Sequence, residues 1–290
     1  MSAIFGPAGR PDSFEAMGYR KTEQIPDYLQ QFDLTAFEYQ FGRGVRYTEN
    51  ALSAFAAKAT AVGIVLSVHS PYYISLSSVE EEKRLNSITY ITDSAKAARL
   101  MGADRIVVHS GSCGKISREE ALLLAKDTLA QAIRELDELG LGDITLCPET
   151  MGKLNQLGNF DEVMQLCEAE ERLLPCIDFG HLNARTLGGI RGKEDYRRLL
   201  DEMENRLGYD RASRFHSHFS KIQYTEKGGE KMHLTFADML YGPDFEPLME
   251  LIAQKGWSPR FICESAGTQA EDAKKMKNAY DTAQSGGNIL

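Results

Sequence analysis

Residues 64–69 read IVLSVH and residues 105–109 read RIVVH, so each of these apolar runs ends in a histidine. Continuous apolar runs of this kind are typical of parallel β-strands that are buried on both faces. The run ITLCPE ends in a similar way at Glu149. The step from His69 to His109 is 40 residues, and the step from His109 to Glu149 is again 40. Because one strand with its following helix takes about this length, the pattern predicts a repeated βα unit with a metal-type side chain at each strand end.

Eight strand candidates alternate along the chain with helix-like segments. The strands are predicted near residues 3–8, 35–40, 64–69, 104–109, 144–149, 174–179, 214–222 and 260–264. In one of the helical segments, Ser117 and Glu120 form an S-x-x-E capping box. Eight alternations predict a parallel sheet that closes on itself. The predicted fold is therefore α/β, a single (β/α)8 TIM barrel domain over residues 1–290 with a metal site at the C-terminal end of the strands.

The last few residues, from about Gln284, are expected to be disordered.

The alternative fold is an open doubly wound sheet. Such a sheet would carry a glycine-rich phosphate loop after its first strand, and the segment FGPAGRP does not match G-x-G-x-x-G.

The composition is that of an ordinary globular protein, with 42% hydrophobic and 26% charged residues. No run approaches the roughly 18 apolar residues of a membrane-spanning helix, and the N-terminus lacks the basic-then-apolar order of a signal peptide. The five cysteines are odd in number and form no C-x-x-C pair. We therefore expect a cytoplasmic protein with reduced thiols, monomeric and without membrane contact.

Six histidines and several acids are candidate metal ligands, because they end or follow the strand candidates and the C-terminal ends of barrel strands face the active site. None of the six histidines lies in a predicted helix. The candidates are His69, His109, Glu149, Asp178, His181, His218, His233 and Glu264, with His216 and Glu230 in addition. Imidazole and carboxylate together suit Zn²⁺, Mn²⁺ or Fe²⁺. Since one metal takes about four ligands, the set predicts two or three metals, and clustered metals suit phosphate-ester hydrolysis.

Two of these candidates have an equally simple structural explanation. His216 and His218 are two residues apart on one strand face, so one is expected to ligate metal and the other to lie in the core or behind the ligands. Glu230 lies in the loop QYTEKGGEKMH, where a solvated acid is the usual case.

Five stretches of the chain resemble motifs of the endonuclease IV family of apurinic/apyrimidinic-site nucleases, within the xylose isomerase-like barrel superfamily. HSPYYISL from His69 resembles H-x-P-Y-x-x-N-L, and PETMGKLNQLG from Pro148 resembles E-N-T-A-G-Q-G-x-x-x-G. CIDFGHLNA from Cys176 resembles the D-T-x-H motif, HFSK from His218 resembles H-x-N-D, and ICES resembles the final glutamate strand. The resemblance covers residues 60 to 265.

The resemblance implies a set of ligand roles. One zinc would use His69, His109 and a bridging Glu149; a second would share Glu149 and use Asp178, His218 and Glu264; a third would use His181, His233 and an acid near Glu230. Glu149 and Glu264 would be catalytic. Tyr72 would correspond to a side chain that pushes into the DNA duplex and helps to flip the abasic nucleotide.

The chain departs from the family pattern in four places. Ser75 stands where the motif has asparagine, and E-K-M-H ending at His233 replaces D-x-H. His216 is additional, and the N-terminal segment MSAIFGPAGRPDSF lacks the usual H-V-S start. These departures concern the third metal and the DNA contacts more than the first two metals.

The loops that follow the predicted strands are basic although the net charge is −9. The stretches 41–48, 110–118, 150–159 and 182–193 hold eight basic residues and no acid. A positive rim suits a phosphate-bearing polymer, and Arg43, Lys115, Lys153 and Arg185 are the predicted DNA-binding cations. The alternative explanation is that acids are absent from these loops because they would compete for metal.

Three functions are compatible with these observations. The first is a zinc enzyme that hydrolyses the phosphodiester 5′ to abasic sites in duplex DNA. The second is a sugar isomerase or epimerase with a single Mn²⁺ or Mg²⁺ on Glu149, Asp178, His218 and Glu264, which leaves four histidines without a common role. The third is a binding protein on a barrel scaffold, which would require missing ligands, and the ligand set looks complete.

Overall fold

The computed structural model describes residues 2–286. The described chain forms ten strands. They are β1 (Ile4–Pro7), β2 (Ala36–Gln40), β3 (Val65–His69), β4 (Arg105–Val108), β5 (Thr145–Pro148), β6 (Cys176–Asp178), β7 (His216–Phe219), β8 (Lys221–Thr225), β9 (Gly229–Leu234) and β10 (Arg260–Cys263). Eight of them, all except β8 and β9, are parallel and form the barrel that the sequence predicts.

The barrel consists of two four-stranded halves. One half has the order β1-β10-β7-β6 and the other the order β2-β3-β4-β5. Single parallel bridges close the two seams, Ala8 with Glu38 between β1 and β2, and Glu149 with Cys176 between β5 and β6. Both seams therefore lie beside an acidic residue.

Helices on the outside connect the strands. They are α1 (Asp12–Ala16), α2 (Ile25–Gln31), α3 (Glu49–Ala61), α4 (Glu81–Met101), α5 (Arg118–Glu138), α6 (Phe160–Ala169), α7 (Phe179–Arg185), α8 (Lys193–Leu207), α9 (Tyr209–Ala212), α10 (Glu246–Lys255) and α11 (Gln269–Gln284). The predicted capping box of α5 is present, because the Ser117 hydroxyl accepts from the Glu120 amide at 3.1 Å and the Glu120 carboxylate accepts from the Ser117 amide at 3.1 Å. In residues 2–286 no helix is both long and apolar enough to cross a membrane.

The core has an outer and an inner part. The larger part fills the space between the strands and the helices. Inside the barrel a small apolar cluster contains Val107, Cys147, Leu174 and Cys176. All five cysteines are free and buried, which agrees with the expected reduced thiols.

The structure corrects three local predictions. The run 214–222 is not one strand, because it breaks at Ser220 between β7 and β8. The segment 223–233, predicted to be a loop, is most of the antiparallel hairpin of β8 and β9. His181 lies within α7, although no histidine was expected in a helix, because the Asp178 side chain caps the N-terminus of α7 and starts it directly after β6. As for the tail expected to be disordered, α11 continues to Gln284, and residues 287–290 lie outside the described residues.

Candidate metal centre

Glu149 is the centre of the site. Its carboxylate is 1% exposed, and it follows β5 at the C-terminal end of the barrel. One oxygen, Oε2, lies 3.4 Å from Nε2 of His69 and 3.1 Å from Nε2 of His109. The other, Oε1, lies 2.9 Å from Nδ1 of His218 and 3.4 Å from Nδ1 of His181. The two oxygens thus face different groups of potential ligands.

The electrostatics at Glu149 favour an ionised carboxylate. Burial alone would raise the pKa of Glu149, but the charge of His218 and the hydrogen bonds from His109 and His181 outweigh it and hold this pKa well below its usual range. In return, Glu149 raises the pKa of His69 to about 9, against the effect of burial. In the absence of metal, protons therefore occupy the positions that a cation would take.

A second group of ligands lies between β6, β7 and β10. Ligand atoms of Glu149, Asp178, His218 and Glu264 all lie within 4.8 Å of one another. Asp178 uses Oδ1 to accept from the His181 amide at 2.7 Å, whereas its buried Oδ2 has no hydrogen-bond partner and lies 3.3 Å from Nδ1 of His181. A buried carboxylate oxygen without a partner is costly, and a bound cation would remove that cost.

A third group forms where the hairpin folds over the barrel. Nε2 of His181 lies 3.4 Å from Oε2 of Glu230, and Nε2 of His233 lies 4.0 Å from its Oε1. The Nδ1 atoms of both rings face away from the Glu230 carboxylate. Nδ1 of His181 lies 2.9 Å from the Thr150 carbonyl oxygen, and Nδ1 of His233 lies 2.9 Å from the Ser220 hydroxyl. Both imidazoles therefore point Nε2 toward the same carboxylate.

Gly152 permits this approach of the hairpin. A Cβ at position 152 would lie 2.6 Å from Cβ of Glu230 and 3.0 Å from a ring carbon of His181. The backbone of the loop is held against the hairpin by the Glu230 amide, which donates to the Gly152 carbonyl at 3.1 Å. The glycine of the P-E-T-M-G motif is thus required by packing against the third ligand group.

The donor set fits transition metals better than Mg²⁺. Each group combines imidazole nitrogen with carboxylate oxygen, which is the mixture that Zn²⁺, Mn²⁺ and Fe²⁺ accept. The structure brings nine of the ten sequence candidates together. Seven of them line one cavity, and Asp178 and His218 lie next to the lining carboxylates of Glu149 and Glu264.

His216 is the candidate that stands apart. Its side chain is fully buried, its Nε2 lies 2.9 Å from Oε2 of Glu38, and the only other possible ligands grouped with it in the described residues are Cys176 and His218. Burial lowers the pKa of His216 to about 4, so the ring is neutral. Of the two histidines on this strand face, His218 is the one that meets the other candidate ligands.

Glu38 was not singled out in the sequence. It is 0% exposed on β2 and contacts both His216 and His218. The available signal was an acid in the middle of the apolar run LTAFEYQ, at an inward position between Ala36 and Gln40. Without the barrel there was no reason to place this acid next to a histidine 180 positions away.

The cavity above the ligands has a volume of about 330 Å³ and opens to the rim. Tyr72 and Lys153 are among its lining residues, together with His69, His109, Glu149, His181, Glu230, His233 and Glu264. Tyr72 and its neighbour Tyr73 are 48% and 50% exposed, with ring centroids 4.6 Å apart.

The predicted rim cations have different environments. Arg43, Lys115 and Lys153 are exposed on the loops after β2, β4 and β5. Arg185 is half-buried, and its guanidinium donates to backbone carbonyls of the 151–156 loop, of which Lys153 is the nearest at 2.8 Å. Arg185 therefore holds this loop in place, while the other three side chains remain directed to solvent.

Comparisons with known proteins agree with this architecture. The model of the xylose isomerase-like TIM barrel family matches residues 26–283. An uncharacterized protein of Methanocaldococcus jannaschii is 34% identical over 280 residues, which cover 94% of this chain and 96% of that protein. A probable endonuclease 4 of Mycoplasma pneumoniae is 28% identical over 192 residues, which cover 64% of this chain and 63% of the relative, less than two thirds of its length.

Solved structures show the same fold with more than one activity in their names. Endonuclease IV of Thermus thermophilus has a TM-score of 0.67 at 20% identity and covers 99% of this chain and 100% of its own. A D-tagatose 3-epimerase-like protein has a TM-score of 0.71 at 16% identity and covers 98% of each chain. At these identities the likeness concerns the fold only, so the ligand groups have to distinguish between the activities.

Proposed function

The chain belongs to the xylose isomerase-like TIM barrel family, and from that premise we propose that it is a zinc-dependent phosphodiesterase that cleaves DNA on the 5′ side of abasic sites. The observation that carries the proposal is the number of ligand groups. His69 and His109 meet one oxygen of Glu149, and Asp178, His218 and Glu264 gather near the other. A third group brings ligand atoms of His181, Glu230 and His233 within 4.8 Å of one another, and its His181 also lies 3.4 Å from Oε1 of Glu149.

The chemistry of such a centre suits phosphate esters. When bound, zinc ions supply Lewis acidity toward a phosphate group and lower the pKa of water. Glu149 is the residue that two ions would share, because its oxygens face different ligand groups. Glu264 lines the cavity 3.6 Å from Nδ1 of His218, where its carboxylate is available to accept a proton from the attacking water.

Abasic DNA is the substrate that the rim favours. Tyr72 lines the cavity, and its ring and that of the neighbouring Tyr73 are both about half exposed. Bases of nucleic acids stack on exposed aromatic side chains of this kind. Lys153 lines the same opening, and Arg43 and Lys115 add exposed positive charge on the loops after β2 and β4. A nucleotide without a base is cheap to extrude. The relatives with endonuclease in their names support DNA as the partner.

A sugar epimerase with one ion is the second candidate. Glu149, Asp178, His218 and Glu264 form a self-contained set of four donors, and an epimerase-like protein shares the fold. This candidate gives no role to the group of His181, Glu230 and His233. One manganese per chain would support it, whereas two or three zinc ions support the nuclease.

The decisive experiment combines metal content with cleavage. Protein purified without chelator is analysed for metals and then incubated with a duplex that carries one tetrahydrofuran abasic analogue. We expect two or three zinc ions per chain and a single incision 5′ to the analogue, with none in the matched intact duplex. The proposal is wrong if fully zinc-loaded protein leaves the analogue intact over a range of salt concentrations.

The role of Tyr72 can be tested separately. We expect Tyr72→Ala to lower cleavage of the duplex substrate about 5- to 150-fold, the worth of one stacking contact, without changing metal content. Tyr209→Ala is the matched control, because Tyr209 is 54% exposed but lies on α9, away from the cavity. Equal activity of the Tyr72 variant and this control would exclude an intercalating role.

A further inference from the structure

Glu38 is a buried acid one layer below the candidate metal ligands. It lies on β2 at a seam of the barrel, where Ala8 pairs with it. Its two oxygens have separate partners. Oε1 lies 2.9 Å from Nε2 of His218, while Oε2 accepts from the Ser67 hydroxyl at 3.0 Å and lies 2.9 Å from Nε2 of His216.

His218 connects this acid to the ligand cluster. Its Nδ1 faces upward, 2.9 Å from Oε1 of Glu149 and 3.6 Å from Oε1 of Glu264. Its Nε2 faces downward to Glu38. The two nitrogens of one ring therefore point to opposite layers of the barrel interior.

This arrangement decides which nitrogen can bind a metal. A neutral imidazole carries one proton, and only the other nitrogen has a free lone pair. Both nitrogens of His218 face a carboxylate, Glu149 at Nδ1 and Glu38 at Nε2, and a carboxylate can accept a hydrogen bond but cannot donate one. When a metal occupies the Nδ1 side, the single proton of the neutral ring therefore lies on Nε2, toward Glu38. Carboxylates that accept from the far nitrogen of a ligating histidine fix the ring and strengthen the ligand.

We propose that Glu38 is a positioning residue that holds His218 with its proton on Nε2, so that Nδ1 is presented to a metal shared with Glu149, Asp178 and Glu264. The inference rests on the metal centre of the proposed function but not on its substrate. It also explains the position of His216, because that ring and Ser67 together occupy the second oxygen of Glu38 and stop the carboxylate from turning away from His218.

Metal affinity tests the proposal without any use of DNA. In Glu38→Gln the carboxylate charge is lost with little change in shape, and we expect zinc affinity at one class of sites to fall about 10- to 100-fold in a chelator competition. In a His218→Gln background the same substitution should have little further effect, because the ligand through which it acts is already absent. Unchanged affinity in folded Glu38→Gln protein, or an undiminished effect in the His218→Gln background, would overturn the proposal.

Glu162→Gln is the matched control. Glu162 is also a buried glutamate, but its carboxylate accepts from the Asn159 amide at 2.8 Å at the start of α6 and from Nε of Arg118 at 2.6 Å, outside the metal centre. We expect this variant to change thermal stability and to leave zinc affinity unchanged. A fall in zinc affinity of the same size as in Glu38→Gln would mean that a general loss of structure explains both, and would count against the proposal.

A measurement on the unsubstituted protein covers the case in which Glu38→Gln fails to fold. With ¹¹³Cd in place of zinc and ¹⁵N-labelled histidine, scalar coupling should connect cadmium to Nδ1 of His218 and to Nε2 of His69 and His109. Coupling to Nε2 of His218 would refute the proposal. If this pattern is found but no abasic DNA is cleaved, the nuclease function is wrong and the role of Glu38 stands.

Discussion

The two ends of the barrel interior are both polar, but they satisfy their charges in different ways. At the C-terminal end, buried acids and histidines contact mainly one another, with Glu149 as the common partner. At the N-terminal end, Arg260 donates to the Leu66 carbonyl at 3.0 Å and to Asp104 at 2.8 Å, and Arg105 donates to the Phe215 carbonyl at 3.5 Å. Between the two ends lie a small apolar cluster that includes Val107 and Cys147 and the buried polar group of Glu38, Ser67 and His216.

This difference separates a part of the barrel that serves stability from a part that can bind a ligand. Arg260 donates to a carbonyl of β3 and to a carboxylate beside β4, so it connects strands at the floor of the barrel, although its Nε is buried without a hydrogen-bond partner. At the other end Oδ2 of Asp178 has no hydrogen-bond partner and lies 3.3 Å from Nδ1 of His181, and the acids there surround a cavity that a ligand can enter. In TIM barrels catalytic groups occur at the C-terminal ends of the strands, and the opposite face serves stability.

The largest effect is expected from Glu149→Gln, at the C-terminal end. The substitution removes the charge that the ligand groups share, so we expect two metals to bind more weakly together. The loss of several kcal/mol of metal-assisted stabilisation corresponds to a fall in DNA cleavage of about 10³-fold or more. Metal analysis and single-turnover cleavage are the measurements. Unchanged metal content would show that Glu149 does not bridge two ions.

The charge of the C-terminal end should change with pH, and metal binding there should change with it, whereas the charge of Arg105 at the N-terminal end should not. The pKa of His69 is raised to about 9 in the metal-free protein, so zinc must displace a proton at neutral pH and its affinity should fall up to about tenfold per proton for each pH unit below 9. The free energy of unfolding of the metal-free protein changes with pH in the opposite direction to zinc affinity. A pKa raised above 6.5 stabilises the metal-free fold below pH 6.5, and this contribution is lost as the pH rises to about 9.

Calorimetric titration of zinc at pH 7 in two buffers of different ionisation enthalpy measures the protons released. We expect at least one proton per metal-binding event at the group of His69. If no proton is released, the raised pKa of His69 is wrong. Arg105 at the floor remains protonated over this range, since burial and the neighbouring Arg260 lower its pKa only to about 10.

Arg260→Met should have the smallest effect and should leave the site intact. The variant keeps an apolar stem but leaves the buried Leu66 carbonyl without its donor, which costs about 1–3 kcal/mol of folding free energy. Relief of repulsion with Arg105 offsets part of this cost. Thermal unfolding and metal analysis are the measurements: we expect a Tm lower by a few degrees, roughly 2–4 °C per kcal/mol, and normal zinc content. Loss of zinc would show that the two ends are not independent.

Much of the site could be predicted because strand ends are visible in a sequence. An apolar run that ends in His69 or Glu149 places that side chain at the mouth of a barrel once the βα period is recognised. The hairpin could not be predicted, since β8 and β9 are stabilised by pairing with each other and by packing against Gly152 rather than by a strong apolar pattern. The role of Arg185 was also hidden, because its partners are backbone carbonyls of another loop.

Local patterns in the chain were enough to establish the alternation of strands and helices, and with it the barrel and the end at which the ligands collect, because periodicity and strand-end residues can be read without knowing distant contacts. The folded structure was needed to show which candidate ligands lie close together, that His218 and not His216 contacts Glu149, and that Glu38 lies behind His218. Those features depend on distances between residues up to 180 positions apart, and such distances exist only once the barrel has closed.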